Sequence, residues 1–138
     1  NLDVTGGEQD CSLPVWRRMI QMRAVDIIQP DVCYVGGIVR ALRVAKMGEE
    51  AKIPCTPHCA NHSLVTLFTM HLLRAIPNAG KYLEFSIEGN DYYPWQSNLY
   101  KSNPYVIHDG KATVTDTPGW GVEISEEWLA KSEYAVSE

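Results

Sequence analysis

Through residues 1–89 of this 138-residue chain, four short apolar runs alternate with three stretches of helical spacing, and the connections between them are brief. The runs are residues 2–4, 25–28, 53–56 and 82–85. Residue Ser12 can cap a first helix with Pro14 near its first turn, and Val15, Trp16, Met19, Ile20 and Met22 fall roughly on one face. A Gly36-Gly37 turn precedes a second amphipathic stretch with Ile38, Leu42, Ala45 and residues 47–51 on its apolar side. A third begins near Ser63, carries Leu64, Leu67, Phe68, His71, Leu72 and Ala75 at helical spacing, and ends at Pro77-Asn78. Strand and helix in strict alternation with short links predict an α/β fold, a parallel sheet with right-handed crossovers and helices on its outer face. Two architectures satisfy that order: an open doubly wound sheet, or half of an eight-stranded barrel.

The remainder reads differently. Residues 90–103 are rich in Tyr, Trp, Asn and Pro and look irregular. A hairpin with its turn at Asp109-Gly110 is predicted next, then a turn and strand through Pro118-Gly119-Trp120-Gly121-Val122, and a short helix from Ser125. A hydrophobic content of 45% suits a soluble domain with its own core. With a net charge of -5 and twelve scattered Lys and Arg, no basic stripe is available for nucleic acid or an anionic membrane. No apolar run approaches the roughly 20 residues needed to span a bilayer, so a cytoplasmic location is expected.

Chemistry-bearing side chains collect where the apolar runs stop. Glu8 follows Thr5-Gly6-Gly7, Asp31 follows Gln29-Pro30, His58 follows Thr56-Pro57, and Glu84 lies in Leu83-Glu84-Phe85. Barrel enzymes gather their sites in this way, from equivalent ends of successive strands. A competing pattern is Cys55, His58, Cys59 and His62, whose residue types suit tetrahedral zinc, although the spacing is tighter than usual zinc patterns. Free thiols are otherwise expected at Cys11, Cys33, Cys55 and Cys59.

Taken together these motifs resemble the C-terminal half of the enolase superfamily, in its mandelate racemase/muconate lactonizing enzyme branch, and within it the sugar-acid dehydratases. The residues that carry the resemblance are Gly7-Glu8, Gln29-Pro30-Asp31 followed by Gly36-Gly37, Pro57-His58, Leu83-Glu84 and the Pro118-Gly119-Trp120-Gly121-Val122 tail, and it covers essentially the whole chain. It implies that residues 1–89 form strands five to eight of a modified TIM-type (β/α) barrel. Residues 90–138 would be a tail returning to an N-terminal capping domain that, like the first barrel half, lies outside this sequence.

By the same resemblance Glu8 is the last of three carboxylate ligands to Mg2+, whose partners precede residue 1. Asp31 would orient His58 and fix its tautomer, His58 would be the base, and Glu84, protonated among neighbouring anions, would donate a hydrogen bond to the developing charge. The implied reaction removes the proton α to the carboxylate of a sugar acid and eliminates the 3-hydroxyl as water. A racemase or epimerase would instead return the proton from a second base in the absent half. The chain alone is expected to be inactive, since two metal ligands are elsewhere, while the whole protein is expected to be a homo-oligomer. Two non-catalytic alternatives remain: a module that dimerises through the unpaired edges of half a barrel, and the zinc module.

Overall fold

A computed structural model of the chain describes residues 2–136. They fall into two compact units divided between Ser86 and Ile87. In the first unit, strand β1 (Thr5–Gly6) leads to helix α1 (Leu13–Gln21), strand β2 (Ile27–Ile28), helix α2 (Ile38–Glu50) and helix α3 (Leu64–Ala75). β1 and β2 pair in parallel, Thr5 with Ile27 and Gly6 with Ile28. Parallel bridges then join Ile28 to Cys55 and Cys55 to Ala79. Four segments therefore lie side by side in chain order with a helix between each pair.

The ladder is short because prolines interrupt it. Pro30, Pro54 and Pro57 have no N–H to donate, so pairing survives only where other residues supply the bond: Thr56 N–H to the Ile28 carbonyl at 2.9 Å and His58 N–H to the Pro30 carbonyl at 3.2 Å. The first segment pairs at Thr5–Gly6 rather than at residues 2–4, although the Val4 carbonyl still accepts from Asp26 and Ile27. The fourth corrects the sequence reading more substantially. Its bridge is at Ala79, with Cys55 N–H donating to the Asn78 carbonyl and Gly80 N–H to the Cys55 carbonyl, both at 2.8 Å, while residues 82–85 carry no strand pairing.

Packing selects Ala79-Gly80 over the more apolar stretch beyond it. A Cβ at Gly80 would overlap the Thr56 hydroxyl, so only glycine lets the fourth segment lie this close to the third. Gly48 does the same for α2, where a Cβ would run into the Ile28 side chain. Asn78 ties these pieces together, its Nδ2 donating to the Ala45 carbonyl at 3.0 Å and the Ile53 carbonyl at 2.9 Å.

The core lies between the helices and the parallel segments. Trp16 and Ile20 from α1, Ala41, Val44 and Ala45 from α2, Leu72 from α3, and Ile28, Ile53 and Cys55 from the sheet form one buried cluster. On α2 the spacing 41, 44, 45, 48 is the i, i+3, i+4, i+7 stripe of an amphipathic helix. Some positions expected inside are outside: Val15, Met22 and Leu42 are exposed. Helix α3 reverses the expectation in the other direction, burying Thr66 and Thr69 beside Leu67 and Met70. Its start matches the expected cap, since the Ser63 hydroxyl accepts from Val65 N–H.

The second unit is built from strands β3 (Ile107–His108) and β4 (Lys111–Ala112), an antiparallel hairpin, and helix α4 (Glu126–Lys131). Asp109 and Gly110 in the hairpin turn both take positive φ, as a tight two-residue turn requires. An antiparallel bridge joins Tyr100 to Ile124, and the buried Tyr100 and Tyr105 rings meet edge to face. Among the described residues no helix is long and apolar enough to cross a membrane.

Candidate active site

Asp31 and His58 face each other because their segments are neighbours in register, joined by a parallel bridge between these same two residues. Both are nearly closed to solvent, at 4% and 8% exposure. His58 Nδ1 lies 2.8 Å from Asp31 Oδ2. The other Asp31 oxygen is already committed, accepting from Cys33 N–H at 2.7 Å and Tyr34 N–H at 2.9 Å. The carboxylate is thus fixed by the turn that follows it, and its free oxygen holds the imidazole by Nδ1. From the opposite side Thr69 of α3 donates to the His58 carbonyl at 3.4 Å. The burial of Thr69, missed in the sequence because a threonine interrupts the apolar stripe, serves the histidine's backbone.

His58 Nε2 points toward two further acids. Glu8 Oε2 lies 3.3 Å away and Glu84 Oε2 3.6 Å away, and both side chains are roughly half exposed. The four residues that the sequence placed at strand ends therefore meet around one imidazole. Glu84 reaches it from extended chain outside the ladder, held by Cys59, whose N–H approaches Glu84 Oε2 at 3.4 Å and whose thiol donates to the Glu84 carbonyl at 3.0 Å. Tyr34 covers the imidazole from another side, its ring 6.3 Å from that of His58 and nearly parallel to it.

The loop carrying Glu8 is shaped by Gly7, with φ at 101°, and rests on Trp16, whose indole N–H donates to the Asp10 carbonyl at 2.7 Å. Arg40 couples this loop to the one after β2, donating through Nη2 to the Cys11 carbonyl at 2.9 Å and through Nε to the Val35 carbonyl. By sequence alone Arg40 reads, with Arg17, Arg18 and Arg43, as part of a solvated helix face or a rim contact in an oligomer; the structure adds these two carbonyl bonds. One cue was available: it lies three residues after Gly37, close enough to α2's start to reach both loops.

Glu8 offers a hard oxygen of the kind Mg2+ takes. Yet among the described residues no three His, Cys, Asp or Glu side chains are grouped to hold a metal ion, so these residues do not by themselves form a magnesium site. The same observation removes the zinc reading: Cys55 is in the ladder, His58 is held by Asp31, and His62 packs its ring 4.4 Å from that of Phe85.

All four cysteines are free, but in two classes. Burial pushes the Cys55 and Cys59 thiols from 9.0 up to about 12. For Cys59, hydrogen bonds with Thr66 and Thr69 partly oppose that rise. An alkylating reagent at neutral pH is expected to modify exposed Cys11 and Cys33 in the folded chain and to reach Cys55 and Cys59 only after denaturation, as peptide mapping would show. Because folding raises these two pKa values, the protonated thiols favour the fold; that contribution is full below pH 9 and is lost as pH rises toward about 12. Equal native labelling at all four positions would contradict the buried placement.

Comparison with known proteins follows the same lines. The chain is 72% identical to a solved structure described as a "putative racemase" from Roseobacter denitrificans, with a TM-score of 0.94, covering 100% of this chain and 38% of that one. It is 28% identical to the D-galactonate dehydratase of Pectobacterium atrosepticum over 134 residues, 92% of this chain and 34% of that enzyme. A solved enolase from environmental sequencing of the Sargasso Sea is 29% identical, with a TM-score of 0.79, covering 97% of this chain and 35% of that one. The chain thus spans about a third of the length of the curated relatives it matches. Residues 1–128 match the family described as enolase C-terminal domain-like. The parallel segments, their helices and the acids around one imidazole are thus features of a chain that belongs to the enolase C-terminal domain-like family.

Proposed function

We propose that this chain is the C-terminal half of a barrel enzyme that abstracts the proton α to the carboxylate of a sugar acid and eliminates water, a dehydratase. The observation that carries this reading is the Asp31–His58 pair. Asp31 accepts from Nδ1–H, which leaves the lone pair of the neutral ring on Nε2, the nitrogen that faces Glu8 and Glu84. Curated sugar-acid dehydratases among the relatives support the substrate class.

In this mechanism Nε2 takes the α-proton and the C–H electron pair passes into an enediolate. That pair then returns to form the C2–C3 double bond as the C3–O bond breaks. The departing hydroxyl takes the proton from Nε2 and leaves as water, and the resulting enol becomes a 2-keto-3-deoxy acid. Glu84 stands 3.6 Å from Nε2, close enough to donate a hydrogen bond to the developing oxyanion. Glu8 is assigned as one oxygen ligand of Mg2+, with further carboxylates from beyond this chain; such an ion, when bound, supplies positive charge opposite the substrate carboxylate.

The similarity to the Roseobacter denitrificans protein favours a second reading, racemisation or epimerisation, in which a base beyond this chain returns the proton to the opposite face. Both readings place residues 90–138 as a tail packed on a capping domain. The open sheet edges, β1 on one side and Ala79 on the other, are where the remaining barrel strands would pair. Four free thiols fit a reducing, cytoplasmic setting, and a homo-oligomeric parent is proposed with it.

The parent protein, incubated with Mg2+ and a panel of sugar acids in D2O, tests the assignment by NMR. A dehydratase yields 2-keto-3-deoxy acid, whereas a racemase yields the α-deuterated epimer. No exchange and no product with any acid would overturn both readings. The 138-residue chain by itself is expected to show neither activity.

A further inference from the structure

The fourth segment gives its ladder bond through Gly80, and residues 82–85 carry no strand pairing, yet Glu84 stands 3.6 Å from His58 Nε2. Something other than the sheet must hold it there. Cys59, the residue after the imidazole, meets Glu84 twice: its N–H approaches Glu84 Oε2 at 3.4 Å, and its thiol donates to the Glu84 carbonyl at 3.0 Å. One residue therefore touches both the side chain and the backbone of this acid.

Cys59 is itself held from behind. It is buried, and the hydroxyls of Thr66 and Thr69 on α3 stand within hydrogen-bonding reach of its sulfur. The same two threonines, buried as well, bond to carbonyls on either side of it, Thr69 to His58 at 3.4 Å and Thr66 to Asn61. Buried hydroxyls on an otherwise apolar stripe cost free energy unless they are bonded, and their partners here all lie in residues 58–61. Helix α3 thus fixes the chain that carries His58 and, through the sulfur, reaches Glu84. Burial pushes the thiol up to about 12, so it stays protonated and remains a donor through the neutral range. A roughly half-exposed glutamate on unpaired chain would otherwise sample many rotamers.

We infer that Cys59 is a positioning residue: its N–H and thiol hold Glu84 where that acid can donate to the developing oxyanion beside His58, and Thr66 and Thr69 set where the sulfur lies. The inference rests on the role proposed above for Glu84 and adds the groups that place it. Cys59 itself takes no part in proton transfer.

The test compares the parent enzyme with its Cys59→Ala and Cys59→Ser variants, reading kcat and KM from α-proton exchange. Because Glu84 acts on charge that develops only in the transition state, Cys59→Ala should lower kcat and kcat/KM together by about 10²-fold, the cost of a misplacement near 1 Å, and leave KM within about threefold. Cys59→Ser returns a donor of shorter reach and should recover activity to within about tenfold of wild type. In a Glu84→Ala background, adding Cys59→Ala should cost less than about threefold more, since the group it positions is gone. Hydrogen exchange read by mass spectrometry is independent of turnover: amides of residues 82–86 should exchange faster in Cys59→Ala while those of α3 stay protected, and serine should restore them. Losses that multiply in the double variant, or unchanged amide exchange at residues 82–86, would show that Cys59 does not place Glu84 and would overturn the inference while the chemistry stands. Equal losses in the alanine and serine variants, with a lower melting temperature in both, would mean that the thiol only packs, and would overturn it too. Absence of α-proton exchange with every acid in the wild type overturns the chemistry and this role with it.

Discussion

Replacing His58 by Asn in the parent enzyme is expected to lower α-proton exchange by roughly 10²–10⁴-fold, the usual contribution of a positioned acid–base group. Asparagine has similar size and can keep a hydrogen bond to Asp31, so the packing around this nearly closed site should survive. What it removes is a nitrogen able to accept a proton where Nε2 stands. Asp31→Asn sharpens the test by a different route. Asp31 Oδ1 accepts two backbone N–H groups, so an asparagine oxygen would remain there and present its NH2 to His58 Nδ1. Nδ1 must then accept, the ring proton moves to Nε2, and the proposed base is in the wrong tautomer. Exchange should fall on the order of 10²-fold or more with little change in melting behaviour. Exchange within threefold of wild type in His58→Asn would remove His58 from the mechanism.

How far the sequence showed this arrangement depends on the kind of residue. The three helices were legible because Trp16 and Ile20, Ile38 with Ala45, and Leu67 with Phe68 and Leu72 fall at helical spacing, and Ser63 marks a start, although the buried stripe of α2 runs through Ala41 and Val44 and leaves Leu42 outside. Strand positions were legible for the second and third segments, where Ile27–Ile28 and Cys55 lie inside the expected runs, but not for the first and fourth. In a sheet this interrupted by proline, pairing is decided by which residue allows close approach, and at the fourth segment that is Gly80 against Thr56 rather than apolar residues 82–85. Glu8, Asp31 and His58 could be found because each acid or imidazole directly follows a glycine or proline that stops a strand. Arg40 and Thr69 could not be ranked by that rule: their roles run through backbone carbonyls, to which any donor of the right length could bond.

The same loop makes the stability of the first unit and the position of Glu8 a single question, and Trp16→Ala answers it. The indole is fully buried, and truncating so large a core side chain costs about 3–5 kcal/mol. Two further losses act on the loop that carries Glu8. The Asp10 carbonyl loses its indole donor, and Gly7, whose Cβ would collide with the ring if it had one, loses the surface it lies on. Trp16→Phe separates these effects, since a phenyl ring keeps most of the packing while the N–H is gone; it should cost roughly 1–2 kcal/mol, mainly the unmade hydrogen bond. Gly7→Ala approaches the same contact from the loop side and adds strain at a φ of 101°, so the loop must move away from the indole. Urea denaturation followed by circular dichroism should rank the midpoints wild type, then Trp16→Phe, then Trp16→Ala. Amide exchange at residues 7–11 should quicken in Gly7→Ala even where the core helices stay protected. A Trp16→Ala midpoint equivalent to less than about 1 kcal/mol of destabilisation would mean that the indole does not support the loop, which would then rest on its other ties, among them the Asp10 N–H to Gly7 carbonyl bond and Arg40's bond to the Cys11 carbonyl.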